Sequence, residues 1–419
     1  MVMDSYKVVR DSIHGDIYFR DLFVHLLDTP EVQRLYNIKQ LGFAHLVFPG
    51  AHHTRLEHSI GVYKIAYQIS ETLGLDEEEK IVVSCAALLH DIGHGPFSHT
   101  LESILLEKFG VDHIDLTEKL ILGEYEVFEP GEKSAVDSRI VSDVLTESGV
   151  DKKEIVRIIR GKTYKKPYLS QILNSTVDAD QLDYLTRDAY YTGVAYGMID
   201  VERLLNTLTI YNDNLGVKRK GVGVIENILM ARGLMYSSVY FHKTVRIAEL
   251  MLSKAIEEIP EIEPFEFFRM TDAEIISSLK NFGSFQHKIV TRLKYRRLFK
   301  QAYSLSALDM RDKDITLAKD LENIDFKREK ERELEDILHI PRGHVIIDVP
   351  YPELQRAEPR IRKTDIHVVD DEDLKTLDDF TPIAGAIRSR VTPDWVIMIV
   401  TDEKYRNVVS KKAEKILFN

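Results

Sequence analysis

The chain has 419 residues, of which 44 % are apolar, and a formal net charge of −12. A chain of this length can bury a large core, as two or three domains or as one large domain with an appendage. The acidic balance argues against a general nucleic-acid-binding protein, although it leaves room for local basic pockets. The single cysteine excludes an internal disulfide, and neither a signal peptide nor a membrane-spanning apolar run is visible, so we expect a cytoplasmic protein.

The N-terminal part predicts a short arm followed by helices. Alternating apolar positions over residues 6–20 predict a β-hairpin or an extended arm. A helix is predicted to begin at Thr29 and Pro30, to run to about Gln40 and to end before the next glycine. A second helix begins near Thr54, just before Arg55.

A stretch of ten residues, His90 to His99, carries three histidines and one aspartate. The uncharged run over 81–89 predicts a buried helix whose last turn delivers His90 and Asp91, and the glycines that follow break this helix. A buried charge needs a partner, and a metal ion would satisfy both side chains. The alternative is a hydrogen-bonded core histidine beside a capping aspartate.

A third polar segment contains four aspartates within eleven residues, 178–188. Asp180, Tyr184 and Asp188 are spaced by four, which places them along one stripe of a helix. Asp183 and Arg187 have the same spacing and predict a structural ion pair. The stripe suits a metal-binding carboxylate at its start with substrate contacts further along.

The remaining patterns predict mostly helices and, near the end, strands. Helices are predicted over about 142–160, 224–258, 285–305 and 403–416, a hairpin over 208–217, an exposed helix or linker over 311–335, and strands over 345–349 and 395–400. Basic runs at 218–220 and 292–300 fit either a solvated face or an anion-binding surface.

Four side chains from three distant segments form a candidate metal site: His58, His90, Asp91 and Asp180. Two imidazoles and two carboxylates suit a divalent Fe, Mn or Zn ion, and Mg²⁺ less comfortably. Such an ion polarises a phosphoryl group.

Further polar side chains surround this set in the sequence. His94, His99 and His113 can hold a phosphate oxygen or move a proton near neutral pH. Glu102 follows His99 by three residues and can orient it. Arg55 shares a helix face with His58 and supplies a fixed cation for phosphates.

The spacing of these four residues resembles that of the HD-domain metal-dependent phosphohydrolases. Within that family, residues 38–59, 90–99 and 180–188 resemble the sterile-alpha-motif-and-HD-domain dNTP triphosphohydrolases and their microbial relatives, and the likeness extends over about 6–305. We expect no sterile-alpha-motif domain. The resemblance implies a mainly α fold, with an HD-domain helical core, a short β-hairpin arm and a small C-terminal α/β appendage. The corresponding division is a catalytic core over 1–310, a charged helix or linker over 311–340 and an α/β region over 341–419.

The resemblance implies hydrolysis of a dNTP to a deoxynucleoside and inorganic triphosphate. The implied metal ligands are His58, His90, Asp91 and Asp180. The implied catalytic residues around the phosphates are Arg55, His94, His99, Glu102 and His113, with His99, Glu102 and His113 as acid–base groups. Contacts to the sugar, which exclude a 2′-hydroxyl, come from Gln40 and Leu41, and the rest of the nucleotide is lined by Tyr184, Asp188, Arg232 and Tyr240.

The relatives are also activated by nucleotides, GTP or a dNTP, bound between subunits of a tetramer, so the resemblance implies a homo-oligomer, dimeric or tetrameric. Residues similar to that regulatory site are Lys7, Asp28, Gln33, Arg203, Lys218, Lys220, Arg296 and Lys300. The sequence departs from the relatives at Tyr36, where they have Arg, at Glu102, where they have Asp, at Gln181, where they have Lys, and at Phe241, where they have Gln. These departures leave the base preference open.

Two alternatives remain at this point. The metal site could act on a phosphodiester or on another nucleotide, as Gln181 and Phe241 suggest. A nucleotide sensor or nucleic-acid-binding protein with little turnover would instead use the basic run near Arg296.

Overall fold

The computed structural model describes residues 6–98, 110–129, 131–259, 264–306, 309–350, 366–371, 373–388 and 395–418. Its α-helices are α1 (Leu22–Leu27), α2 (Pro30–Gln33), α3 (Arg55–Leu73), α4 (Glu77–Leu89), α5 (His113–Leu122), α6 (Glu132–Val136), α7 (Val141–Glu147), α8 (Lys152–Ile159), α9 (Pro167–Gln171), α10 (Ala179–Thr192), α11 (Val201–Leu205), α12 (Val222–Met235), α13 (Lys243–Glu257), α14 (Pro264–Arg269), α15 (Asp272–Phe282), α16 (Ser284–Lys294), α17 (Asp312–Asp320), α18 (Ile324–Ile337), α19 (Ile383–Arg388) and α20 (Arg406–Leu417).

Nine described strands form three small sheets. The strands are β1 (Tyr6–Asp11), β2 (Gly15–Arg20), β3 (Leu208–Tyr211), β4 (Asn214–Lys218), β5 (Lys300–Leu305), β6 (Val345–Asp348), β7 (His367–Asp370), β8 (Asp373–Thr376) and β9 (Ile397–Thr401). Their orders are β1-β2, β3-β4-β7-β8 and β5-β9-β6. The mainly α class, the hairpin arm and the C-terminal α/β region are thus confirmed.

The centre of the molecule is α3, which packs against both α4 and α10. Each of the three helices has a defined start, because Thr54, Asp76 and Asp178 accept backbone N–H groups of the first turn. In α3 and α4 a glutamate three residues after the cap completes a capping box. Leu56, Val83 and Leu182 belong to the apolar core shared by these helices.

The predicted helix from Pro30 to about Gln40 is wrong in its length. Helix α2 ends at Gln33, and a 3₁₀ turn covers Arg34–Asn37. The chain beyond is drawn into bonds with the residues before α3: Gln40 N donates to His53 O (3.1 Å) and Arg55 N donates to Ile38 O (2.9 Å). These tertiary bonds replace the helical ones and bring Gln40 beside the start of α3.

Three other predicted helices are interrupted. The 142–160 helix is two helices, α7 and α8, because Asp151 caps the second. The 224–258 helix breaks after a π-helical turn at Tyr236–Tyr240, and His242 Nδ1 then accepts from Thr244 N at the start of α13. The 285–305 helix ends at Lys294, where a positive φ of 53° at Arg296 turns the chain toward strand β5.

The charged segment over 311–335 forms α17 and part of α18, and α18 is more than an exposed helix. Buried Glu331 accepts the N–H of Ile347 (2.8 Å), and buried Glu335 accepts those of His344 and Val345 (2.9 and 3.0 Å). These carboxylates satisfy backbone donors at the edge of the three-stranded sheet. Among the described residues, none of the helices combines the length and apolar content that crossing a membrane requires.

One buried carboxylate links α2 to α7. Glu31 accepts the Val141 N–H (3.1 Å), and its Oε2 is buried without a hydrogen-bond partner among the described residues. Burial raises the pKa of Glu31 from 4.5 to about 7. The folded state therefore holds this proton more tightly than the unfolded state does.

We predict a stability change with pH that depends on Glu31. Because its folded-state pKa is raised, the free energy of unfolding falls as pH rises from about 4.5 through 7, by about 3 kcal/mol in total. Glu31→Gln lacks this pH dependence. Between pH 4.5 and 8 the unfolding free energy of the wild type should therefore fall by about 3 kcal/mol more than that of the variant. Urea denaturation at several pH values measures it. The matched control is exposed Glu78→Gln, and a pH-independent difference for Glu31→Gln would contradict the prediction.

Candidate active site

Three of the four predicted metal ligands meet at the junction of α3, α4 and α10. One ligand atom each of His58, His90 and Asp180 lies within 4.8 Å of the other two. His58 Nε2 is 3.1 Å from Asp180 Oδ1, and His90 Nε2 is 4.0 Å from the same oxygen. Each side chain comes from a different helix or helix end, so the packing of these helices assembles the group.

The fourth predicted ligand, Asp91, lies against this group. Its Oδ1 is 3.3 Å from His90 Nε2, and its Oδ2 is 4.0 Å from His58 Nε2 while accepting a bond from Arg55. Burial would raise the pKa of Asp91, but the neighbouring His90, Arg55 and His94 hold it well below its usual range. The carboxylate is therefore ionised and available to a cation as well as to the guanidinium.

In both imidazole rings, Nδ1 makes a hydrogen bond and Nε2 faces the carboxylates. His90 Nδ1 donates to Ala87 O (2.8 Å), and His58 Nδ1 donates to Asp183 Oδ2 (2.8 Å). A neutral ring that donates at Nδ1 has a lone pair at Nε2, which is the form that binds metals. His90 Nε2 is buried and has no hydrogen-bond partner in the described part of the chain. The donor set fits a first-row divalent ion.

The local field favours positive charge at His58. Burial lowers the pKa of the ring, but hydrogen bonds to Asp180 and Asp183 outweigh it and raise the pKa to about 10. A metal ion bound at His58 Nε2 would have to replace that proton, so its binding would release a proton and would weaken at low pH.

Asp183 accepts a hydrogen bond from Nδ1 of His58, and its carboxylate accepts four hydrogen bonds in all. Its two oxygens accept from His58 Nδ1, from His14 Nε2 (2.7 Å) and from Arg187 Nε and Nη2 (2.8 and 2.9 Å). The predicted Asp183–Arg187 ion pair is thus confirmed. Gly61 of α3 makes the approach feasible, because a Cβ there would lie 1.9 Å from Asp183 Oδ1.

On the other side of the ligand group lie residues predicted to surround phosphates. Arg55 Nε donates to Ser98 Oγ (2.7 Å), and its buried Nη2 has no hydrogen-bond partner among the residues described. The His94 and His113 rings stack with centroids 3.9 Å apart. Burial, together with the nearby Arg55 guanidinium and the His113 ring, lowers the pKa of His94 well below its usual range, so the His94 ring is neutral. The predicted His99 and Glu102 lie outside the described residues.

The loop after His90 is held in place by two side chains, half-buried Arg34 and buried Asp272. Arg34 Nη2 donates to the carbonyls of Ile92 (3.0 Å) and His94 (2.6 Å). Asp272, at the start of α15, accepts the N–H groups of Phe97 (2.9 Å) and Lys39 (3.0 Å). The latter pair of bonds ties the loop to the segment that carries Gln40.

The residues predicted to contact a nucleoside also gather at this site. Asp188 accepts from Tyr240 Oη (2.7 Å) and from His53 Nε2 (2.7 Å), and the Tyr184 and Tyr240 rings meet edge to face at 5.9 Å. Buried Arg232 donates to Gln181 Oε1 (3.2 Å).

Two amide groups of this region have buried atoms without a partner. Gln40 Oε1 and Gln181 Nε2 make no hydrogen bond to any described residue. Leu41 is half-buried beside Gln40. Unmatched buried polar atoms cost stability unless a ligand or water satisfies them.

The residues predicted to bind a regulatory nucleotide lie mostly on the surface. Lys7 and Asp28 form an ion pair. Gln33 Nε2 donates to Leu27 O (2.7 Å), Arg296 Nε donates to Leu46 O (2.8 Å), and Lys300 Nζ is 4.0 Å from Glu403 Oε2. Arg203, Lys218 and Lys220 are exposed.

Two side chains in the site were not predicted to act there. They are His14, in the turn of the N-terminal hairpin, and His53, just before α3. In the sequence, each is only a histidine near a turn. That pattern is too common to predict a role in the site without knowledge of the fold.

Two family models match successive parts of the chain. A family model of the HD domain matches residues 55–188, and a model of the HD-associated region matches residues 199–418. An uncharacterised protein of Methanocaldococcus jannaschii is 34% identical over 98% of this chain and 84% of its own length. The deoxynucleoside triphosphate triphosphohydrolase SAMHD1 homologue of Dictyostelium discoideum is 30% identical, over 71% of this chain and 60% of its own length.

A solved structure has the same fold over almost the whole chain. The crystal structure of a hypothetical protein from Aquifex aeolicus superposes with a TM-score of 0.73 at 30% identity, covering 98% of this chain and 100% of that one. The fold therefore extends through the C-terminal α/β region as well as the helical core.

We predict that Gly61→Ala damages the site. The added Cβ would lie 1.9 Å from Asp183 Oδ1 and 2.5 Å from Arg187 Nη2, so these buried side chains must move. We expect a loss of about 3 kcal/mol in the free energy of unfolding, measured by urea denaturation. Gly223→Ala in α12, where a Cβ meets nothing within 4 Å, is the matched control and should be neutral or stabilising. Equal effects of the two substitutions would contradict the assignment.

Proposed function

This chain belongs to the HD-domain family of phosphohydrolases, and we propose that it hydrolyses dNTPs to a deoxynucleoside and inorganic triphosphate. Its cofactor is a divalent metal ion, as in HD domains generally. The observation that carries the proposal is the meeting of His58, His90 and Asp180 within 4.8 Å, beside a buried arginine with an unmatched N–H group. A metal-binding group next to a fixed cation suits a chain of phosphates.

In the proposed reaction, water attacks the α-phosphorus, the bond from phosphorus to the 5′-oxygen breaks, and that oxygen takes a proton as it leaves. His58, His90, Asp91 and Asp180 hold the metal ion. When bound, the ion supplies a Lewis acid that polarises the phosphoryl group. We assign proton transfer to His99, Glu102 and His113, as the resemblance implies.

Arg55 and His94 hold the phosphates in this proposal. The unmatched Nη2 of Arg55 donates to a phosphate oxygen, while its Nε stays fixed on Ser98. Neutral His94 lies between Asp91 and His113, with its Nε2 3.4 Å from Asp91 Oδ1. The neutral ring can share a proton with a phosphate oxygen without adding a second buried charge.

The deoxyribose and base would lie toward α10 and the π-helical turn. Asp188, fixed by His53 and Tyr240, offers an acceptor to a sugar hydroxyl, and Gln40 Oε1 offers a second acceptor. We assign the exclusion of a 2′-hydroxyl to Leu41. Tyr184, Tyr240 and Arg232 line the remainder of the nucleotide.

Gln181 supports a second candidate, in which the substrate is another nucleotide or a phosphodiester. Its side chain is buried and bound to Arg232, so it is a neutral donor where the relatives resembled by this sequence have a cationic lysine. A sensor with little turnover is less well supported, because the predicted metal ligands are complete.

Regulation and assembly are further parts of the proposal. We propose that a GTP or dNTP activator binds between subunits of a homo-oligomer through the exposed basic residues named above. The separate roles of residues 1–310, 311–340 and 341–419 and a cytoplasmic location belong to the same proposal.

The proposed reaction predicts which products form. With Mn²⁺ or Mg²⁺, purified protein should release deoxynucleoside and triphosphate from dNTPs, and ribonucleotides should react about tenfold more slowly or worse. Chelation of metal or His90→Ala should lower the rate on the order of 100-fold or more, because metal catalysis supplies several kcal/mol. Exposed His25→Ala is the control. Chromatography that finds diphosphate or monophosphate instead would refute this reaction and favour the second candidate.

The second prediction concerns activation. Addition of GTP together with dATP should raise the rate about fivefold or more, which is the lower range of measured allosteric couplings. A Lys218→Ala/Lys220→Ala double variant should lose this stimulation, whereas the double variant of exposed Lys162 and Lys165 to alanine should keep it. A rate independent of both nucleotides, measured on dTTP, would count against a regulatory site.

A further inference from the structure

The N-terminal hairpin reaches the metal-ligand group through one histidine. His14 lies in the turn between β1 and β2, and its Nε2 is 2.7 Å from Asp183 Oδ1. The other oxygen of Asp183 accepts from His58 Nδ1 at 2.8 Å. Only one carboxylate therefore separates the hairpin turn from a proposed metal ligand.

The turn that carries His14 is fixed from two directions. Asp11 Oδ1 accepts the backbone N–H groups of Ile13 (2.9 Å) and His14 (2.8 Å). Asp11 Oδ2 accepts from Arg187 Nη1 (2.7 Å), and Arg187 also binds Asp183. The position of the hairpin and the position of Asp183 are thus coupled by side chains that are almost all buried.

His14 differs from the other three donors to Asp183 in its access to solvent. Its side chain is 12% exposed, whereas those of His58 and Arg187 are 2% and 0% exposed. The imidazole thus closes the solvent side of the carboxylate. Without it, water can reach Asp183, and Oδ1 keeps only the bond from Arg187 Nη2.

We propose that His14 is a positioning residue of the metal site. By donating to Asp183 and shielding it from water, His14 holds the carboxylate that fixes the ring of His58, so the hairpin sets the affinity for the metal ion. The inference rests on the proposed metal ligands. It makes the N-terminal arm, which carries the predicted regulatory residue Lys7, a part of the catalytic site.

A side chain that hydrogen-bonds a metal-bound histidine contributes measurably to the affinity for the metal ion. Removal of such outer partners costs 10- to 100-fold in metal binding in well-studied sites. His14 is one hydrogen bond further from the metal site than Asp183 is. We therefore expect the lower end of that range, about a tenfold loss of metal affinity.

The test measures Mn²⁺ binding to metal-free protein by isothermal titration calorimetry. His14→Ala should raise the Kd about tenfold, and His14→Gln, whose amide can donate in place of Nε2, should stay within about threefold of wild type. Arg10→Ala is the matched control: its side chain is exposed on the same hairpin and pairs with exposed Asp16. A second measurement, the rise in Tm on adding Mn²⁺, should shrink in His14→Ala alone.

The outcomes separate this inference from the proposed function. If wild type binds Mn²⁺, His58→Ala does not, and His14→Ala binds within twofold of wild type, the role of His14 is overturned while the metal site stands. His14→Gln binding as weakly as His14→Ala also overturns it. If His58→Ala binds as tightly as wild type, the metal site itself is wrong. A fall in Tm for His14→Ala with an unchanged Kd would assign the histidine a structural role only.

Discussion

The structure depends on the accumulation of buried and partly buried carboxylates around His58. Asp91, Asp180 and Asp183 approach this one ring, and the permanent cations paired with them among the described residues are Arg55 and Arg187. Burying uncompensated charge is costly, so such a group persists only where other charges or a ligand balance it. The excess of negative charge is what raises the pKa of His58, and the same field attracts a divalent cation.

Small residues let the backbone approach this charged group closely. Gly61 gives Asp183 and Arg187 their place against α3, and a Cβ at Gly93 would lie 2.2 Å from the carbonyl oxygen of His113. Gly93 N also donates to Thr117 Oγ1 (3.0 Å), whose hydroxyl bonds His90 O (3.2 Å). The stacking of His94 on His113 follows from this contact between the loop and α5. Gly61 and Gly93 therefore allow the close contacts by which α10 and α5 pack around the site.

Local patterns predicted the parts of the fold that are decided locally. The helix start predicted near Thr54 is confirmed, because the Thr54 side chain caps the first turn whatever the tertiary environment. Asp76 and Asp178 cap the other two ligand-bearing helices in the same way, although the sequence reasoning predicted no start at either residue. The predicted helix beyond Gln33 failed because bonds to residues 53–55 were worth more than helical ones, and no local pattern contains that information. The same limit hid His14: its partner is 169 residues away, and a histidine in a hairpin turn carries no sign of it.

Four buried polar atoms of the site have no hydrogen-bond partner among the described residues. They are His90 Nε2, which the proposed function assigns to the metal ion, Arg55 Nη2, which it assigns to a phosphate, and Gln40 Oε1 and Gln181 Nε2, which it assigns to the nucleoside. Each buried unmatched group costs about 1–3 kcal/mol, so four of them in one place oppose folding substantially. A protein retains that cost where a ligand relieves it, and the ligand must then offer a cation, an anion and further hydrogen-bonding groups within one small volume. A metal–nucleotide complex meets all three demands, whereas an ordinary packed core meets none of them. Because the amides can donate and accept but carry no charge, the proposed function assigns discrimination among nucleotides to them and to Arg232, and assigns the hydrolysis common to the family to the metal ligands.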